Sequence, residues 1–216
     1  MTTDPTPDSA PEQDGRATRW SGHRERRRQS IVDVAIEVIG TMGPQTRLHD
    51  IAQAAGVTRQ VVYRQFTDRE DLDEAITKRI TGMILGHLVA HLDMSAGISA
   101  SLRKALTSYL DFIEENPALY AFVRAHETGR TTHAVSGVKD AIADIGLQIV
   151  DEMVESGAVD PAVPVNKVLA LGLVGMIDAA VTQWLADDPP APREQLIEGL
   201  SRMLDASVRA ILGSLP

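Results

Sequence analysis

The chain has 216 residues, is 44% hydrophobic, contains no cysteine and carries a net charge of -9 at neutral pH. It can therefore bury a sizeable core, but it can form no disulfide, thiolate metal site or cysteine nucleophile. No apolar run reaches the roughly 18 residues needed to span a bilayer, and the opening MTTDPTPDSAPEQDG lacks the basic-then-apolar pattern of a secretory signal.

A cytoplasmic protein with no membrane partner is the expectation. The charge is unevenly laid: Arg16 to Phe66 carries 9 basic residues against 4 acidic, and Thr67 to the end carries 12 against 22. A basic N-terminal block on an acidic body is a common layout for a DNA-binding head on a ligand or partner domain, although ordinary surface variation also produces it.

Residues 1–22 read as a disordered arm, because Pro5, Pro7 and Pro11 stand among small polar residues with little apolar surface to bury. Its basic end, with Arg16, Arg19 and then Arg24 to Arg28, suits either a phosphate-tracking arm or a solvated tail with a charged first helical turn. A first helix is expected from about Gly22 to Thr41, with Ile31, Ala35, Val38 and Met42 along one stripe. Gly43-Pro44 should end it.

The second helix should open at Thr46, whose hydroxyl is placed to cap the first turn, and bury Leu48, Ile51, Ala52 and Ala55. Gly56 falls where the turn needs φ > 0, Val57 plugs the core, and Thr58 caps a third helix from Arg59 to about Phe66. Val62 and Phe66, one turn apart, should face inward. Arg59, Gln60, Tyr63 and Arg64 are left outward, a face suited to base edges and phosphates. Thr67-x-x-Glu70 has the spacing of a capping box for a fourth helix. Arg69 in its first turn opposes the helix dipole and hints at another partner, such as phosphate.

The run T-x-L-x-x-IA-x-x-AGVT-x-x-x-VY-x-x-F-x-x-RE-x-L, from Thr46 to Leu72, resembles the TetR family of bacterial transcriptional regulators. The likeness covers about 50 residues and departs at Gln60-Val61, where many members have Gly then Thr or Ser, which leaves the operator sequence open. The resemblance implies phosphate contacts from Thr46, Thr58, Tyr63 and Arg69, and base reading by Arg59 and Gln60, with Arg47 and His49 as weaker groove candidates. It also implies an all-α fold: a three-helix helix-turn-helix domain over 23–70, then an effector-binding and dimerisation domain over 71–216, about nine helices in all. The expected partners are a palindromic double-stranded DNA operator, a second copy of the chain and a small hydrophobic effector.

Downstream, the fourth helix continues to about His91, and helical patterns follow at about 99–115, 116–127, 133–156, 163–186 and 192–213, punctuated by prolines. Val168 to Leu185 is apolar nearly all round. With Leu196, Leu200, Met203, Leu204, Val208 and Leu212 of the last helix it suggests a dimerising pair, a buried helix within one protomer being the other option. Asp178, inside that apolar run, needs a partner if buried: a salt bridge at the dimer seam, a backbone group or a ligand.

His87, His91, Tyr120, Arg124, His126, Asp178 and Trp184 are the candidate pocket residues. The segments NPALYAFVR and LVGMIDAAVTQWL resemble those of actinobacterial members thought to sense lipid-like molecules, with a fatty acyl compound as the candidate effector. His87 and His91 have the i, i+4 spacing of metal ligands but no third ligand nearby, and no nucleophile, P-loop or dinucleotide motif occurs. No metal, cofactor or catalytic role is expected.

Overall fold

The computed structural model describes residues 15–90, 97–126, 132–155, 157, 167–188 and 190–212. Among these the fold is all-α, with nine helices: α1 Gly15–Met42, α2 Leu48–Ala54, α3 Arg59–Gln65, α4 Arg69–Ala90, α5 Ile98–Glu115, α6 Pro117–Ala125, α7 Thr132–Glu155, α8 Lys167–Ala186 and α9 Arg193–Leu212.

α1 starts seven residues ahead of the expected Gly22, so the basic end of the arm is helical from Gly15 onward. Arginine is a good helix former, and extending an existing helix avoids the cost of nucleation. Gly43 (φ 95°) and Gly56 (φ 63°) take the left-handed conformations expected of them. Behind Gly56, the Val57 amide returns to the Ala52 carbonyl at 2.9 Å, which makes the α2–α3 turn sharp.

Two caps differ from expectation. Thr46 does not cap α2: its hydroxyl turns back to donate to the Gly43 carbonyl at 2.7 Å and is buried. The flanking residue is Arg47, whose amide donates to Asp50 Oδ2 at 3.3 Å. In α4 the cap is Asp68, one residue later than Thr67, with its Oδ1 accepting from the Asp71 amide at 2.8 Å. Asp71 Oδ2 accepts in turn from the Thr67 amide at 2.8 Å, so Asp68 and Asp71 tie the first turn where Thr67 and Glu70 were expected to. Phe66 is buried and extended, which sets the phase and leaves Asp68 next to the first helical residue.

One core gathers Ile31, Ala35 and Ile39 of α1, Ile51 of α2, Val62 and Phe66 around α3, Leu72, Ile76 and Ile80 of α4, and Leu119, Phe122 and Val123 of α6. A second gathers Leu106, Leu110 and Ile113 of α5, Tyr120 of α6, Val181 of α8, and Ile197 and Leu200 of α9. The nine-residue α6 therefore belongs to both, with Phe122 in one core and Tyr120 in the other. Pro117 starts it at a position where the missing N–H costs nothing.

α8 overturns one expectation. By length and composition its 20 residues are apolar enough to cross a membrane. Yet Val181 is its one buried residue, and Val168, Leu169 and Leu185 are exposed in the single chain. An added Cβ at Gly172 or Gly175 would meet nothing within 4 Å.

Candidate nucleic-acid interface and cavity

α3 is held from behind by apolar packing and from its end by arginines of α1. Val62 and Phe66 are 1% exposed. Arg28 donates to the Gln65 carbonyl at 2.6 Å, stacks 4.1 Å over the Phe66 ring and pairs with Asp71 at 2.6 Å. Arg24 reaches the Arg64 carbonyl at 3.4 Å. Two arginines of the basic N-terminal stretch thus satisfy the final carbonyls of α3, at the end where the helix dipole is negative. The Arg28 guanidinium holds the Asp71 carboxyl below its usual 3.8.

With its inner face fixed, α3 turns Arg59, Gln60, Tyr63 and Arg64 to solvent, Tyr63 at 52% exposure. A tyrosine ring so exposed has no packing duty. Thr58 is exposed beside them, with Oγ1 accepting from the Val61 amide at 3.4 Å, and Arg47 and His49 are exposed at the start of α2. Seven of the nine expected contact residues therefore lie on accessible surface.

The other two do not stand as expected. Thr46 is 6% exposed, with its hydroxyl committed to Gly43. The Arg69 Nε donates to both oxygens of Asp73, at 2.8 and 2.9 Å, and its Nη2 donates to the Thr46 carbonyl at 3.1 Å. The hinted partner of Arg69 is thus a buried carboxylate one turn along, and the arginine ties the start of α4 to the entry of α2. An i, i+4 Arg–Asp spacing was visible in the sequence; the burial of Asp73 was not. Burial pushes the Asp73 carboxyl above 3.8, against the pull of Arg69.

His126, expected in the pocket, completes this cluster instead. Its Nδ1 lies 2.7 Å from the Phe122 carbonyl, its ring stacks on Phe122 at 4.2 Å, and its Nε2 lies 3.6 Å from Asp73. The residue that caps the end of α6 thereby meets the fourth helix just above the head.

The same α6 borders a cavity of about 220 Å³ lined chiefly by α4, α5, α6, α7 and α8. Tyr120, Arg124 and Asp178 line it as expected. His87 does not: its ring sits edge-on to Phe112, 5.8 Å away, and its carbonyl accepts from Ser108. Trp184 packs with the second core and donates from Nε1 to the Ala191 carbonyl at 2.6 Å. His91 lies outside the described residues. Asp178 pairs within its own protomer, at 2.7 Å from Lys139 and 3.7 Å from Arg124. Tyr109 and Lys139 were missed. Lys139, the base that leads into the apolar stretch AIADIGLQIV, was the available signal.

Comparison with known proteins finds two matching families along the chain. Residues 31–76 match the family described as bacterial regulatory proteins, tetR family, and residues 87–211 match the tetracyclin repressor-like C-terminal domain. An uncharacterised HTH-type transcriptional regulator of Mycobacterium tuberculosis is 26% identical over 196 residues, covering 88% of this chain and 80% of that one. The HTH-type transcriptional repressor LfrR of Mycolicibacterium smegmatis is 34% identical over 107 residues, 47% of this chain and 56% of its own. Among solved structures, the transcriptional regulator FadR of Bacillus subtilis in complex with stearoyl-CoA superposes with a TM-score of 0.59 at 19% identity, covering 86% of this chain and 97% of that one.

Proposed function

The chain belongs to the TetR family of transcriptional regulators, and from that premise we propose that it is a homodimeric repressor, released from a palindromic operator by a small apolar effector. The observation that carries the DNA-reading part is the divided surface of α3. One side is locked by Val62, Phe66 and the Arg28 tie, and the other offers Arg59, Gln60, Tyr63 and Arg64 to a groove. Rigid presentation matters, because bidentate contacts to base edges tolerate little displacement. Thr58, Arg47 and His49 flank the helix as further contacts. Thr46 and Arg69 drop out of this set, their polar groups being committed within the chain.

Dimerisation rests on α8 and α9. An apolar helix with one buried residue, together with Met203 at 52% exposure on its neighbour, needs cover. A second copy supplies that cover by a twofold axis and also places two copies of α3 about 34–36 Å apart, one turn of DNA. The same cover makes α8 a seam helix of a cytoplasmic protein rather than a membrane span.

Repression follows the sign stated for LfrR, and the complex of FadR with stearoyl-CoA supports effector control. Coupling has a physical route in this chain. Tyr120, Val123 and Arg124 face the cavity from α6, and His126 at the C-terminal cap of that helix meets Asp73, which holds Arg69 against the Thr46 carbonyl. A ligand that displaces α6 therefore acts on the joint between α4 and the head. It need only favour one of two dimer conformations.

Selection of bound fragments from random DNA tests the reading. A palindrome should be enriched, and Arg59→Ala should relax preference at one position per half-site by about 1–3 kcal/mol. Recovery of no common sequence would leave a helical binding protein without specific DNA reading, and the proposal would be wrong.

A further inference from the structure

The cavity wall is apolar along most of its length and polar at one end. Tyr109, Tyr120, Arg124, Lys139 and Asp178 gather there from four different helices. Among the described residues lining the cavity, two cations stand against a single carboxylate. That carboxylate meets both of them through one oxygen, Asp178 Oδ2.

The hydroxyls add to the same imbalance. Tyr120 is 8% exposed, and its buried hydroxyl has no hydrogen-bond partner, a costly arrangement unless something else completes it. Burial beside Tyr120 pushes the Tyr109 phenol well up, so that it stays a neutral hydroxyl able to donate. The polar end thus offers the Lys139 ammonium, the Arg124 guanidinium and two phenols as donors, beside one carboxylate. A cation entering here would meet Arg124 and Lys139, and a purely apolar molecule would leave the Tyr120 hydroxyl unmet. An oxyanion would meet both demands.

The apolar part sets the rest of the ligand. Leu102 lies seven residues from Tyr109 along α5, and Ile149 lies ten residues from Lys139 along α7. At 1.5 Å per residue, the apolar stretch runs about 10–15 Å from the polar end. A volume of about 220 Å³ falls below the roughly 300–1,000 Å³ of pockets for drug-sized ligands. A single extended chain fits such a space better than fused rings.

We propose that the cavity takes the free acid form of a medium-length alkyl chain, with its carboxylate at Tyr120, Arg124 and Lys139 and its tail towards Leu102 and Ile149. This rests on the cavity being the effector site of the preceding section, and it departs from the acyl-CoA held by FadR. A thioester carbonyl brings no charge to the two cations, and a cavity of this size leaves a nucleotide outside.

Calorimetric titration of the full-length dimer, without DNA, tests it with four probes of matched chain length: decanoate, decanol, decyltrimethylammonium and decanoyl-CoA, each below its micelle concentration. Decanoate should bind at least about tenfold more tightly than any of the others. Lys139→Met should weaken decanoate by about tenfold or more and erase its advantage over decanol. Tyr120→Phe should weaken it by about threefold to tenfold. Both variants should melt cooperatively without ligand, and Tyr120→Phe, which removes one unpaired atom, guards against a folding artefact in Lys139→Met.

Equal or tighter binding of the alcohol, the ammonium or the thioester would overturn the proposal, as would no binding of decanoate up to its solubility limit. Unchanged decanoate binding in a folded Lys139→Met variant would do the same. Release of operator DNA is measured separately. Decanoate that binds as described but leaves the DNA complex intact would refute effector control while leaving the ligand class in place.

Discussion

The head and the body of this chain treat their surfaces in opposite ways. α3 is seven residues long, yet it is held by two buried side chains, a threonine cap, an arginine stacked on Phe66 and arginines on its last two carbonyls. α8 is 20 residues long and more apolar, yet it buries only Val181 within the chain. Beside it, a cavity keeps a buried tyrosine hydroxyl unpaired. The head reaches its geometry by internal contacts, as a part that must present fixed side chains does. On the function proposed above, the body is left to be completed from outside, by a second copy along α8 and by a ligand in the cavity.

The sharpest way to break this contrast is to fill α8 without disturbing the protomer. Gly172→Leu adds a side chain where nothing lies within 4 Å, and it improves helix propensity. The isolated chain should therefore fold as well as before or slightly better. The dimer should be lost in sedimentation, and operator affinity should fall about 100-fold or more as the two half-sites become independent. A dimer of unchanged strength would place the seam elsewhere.

A smaller effect is expected inside the head. Arg69→Ala leaves the buried Asp73 carboxylate without the arginine N–H that bridges its two oxygens and frees the Thr46 carbonyl. It should lower stability by about 2 kcal/mol in chemical denaturation, whatever it does to DNA binding. If stability is unchanged while affinity falls equally on all sequences, Arg69 contacts phosphate after all, and the head is less self-contained than it looks.

The smallest effect is pH-dependent. The folded form lowers the Asp71 pKa through Arg28, so this pair adds stability that is fully present above 3.8 and is lost as pH falls through the lowered value. Asp73 acts oppositely: its pKa is raised by burial, so its ionisation removes stability as pH rises from 3.8 through the raised value. Asp71→Asn should cost about 0.5–1 kcal/mol near neutral pH, as befits a partly exposed pair, and nothing once both forms are protonated. Parallel melting curves of the two proteins from pH 2.5 to 6 should therefore converge at the acid end.

Much of the head was legible because its signals are local. Gly56 must take positive φ after a short helix, and Val62 and Phe66 are one turn apart. The face that remains can only be Arg59, Gln60, Tyr63 and Arg64. What failed there was the choice among equally local alternatives. Thr46 had a nearer carbonyl to satisfy than a helix to cap, and Asp68 stood closer than Thr67 to the true start of α4. Arg69 had its partner four residues away in the sequence, but only packing shows that Asp73 is buried.

The body was legible as helices and much less as a site. Proline and glycine punctuation placed all of α5 to α9 within a few residues of where they lie, since helix ends depend on the chain nearby. The cavity depends on which faces of five helices meet. His87 and His126 turn to Phe112 and Asp73, whereas Tyr109 and Lys139 turn inward, and no local pattern separates these cases. By itself, then, the sequence determined the helix-turn-helix, the outward face of α3 and the count of helices, because each follows from spacing along one segment. The pairing of Asp178 with Lys139, the span of α6 across both cores and the uncovered length of α8 were decided only by tertiary structure, because each depends on the rotation of one helix against another.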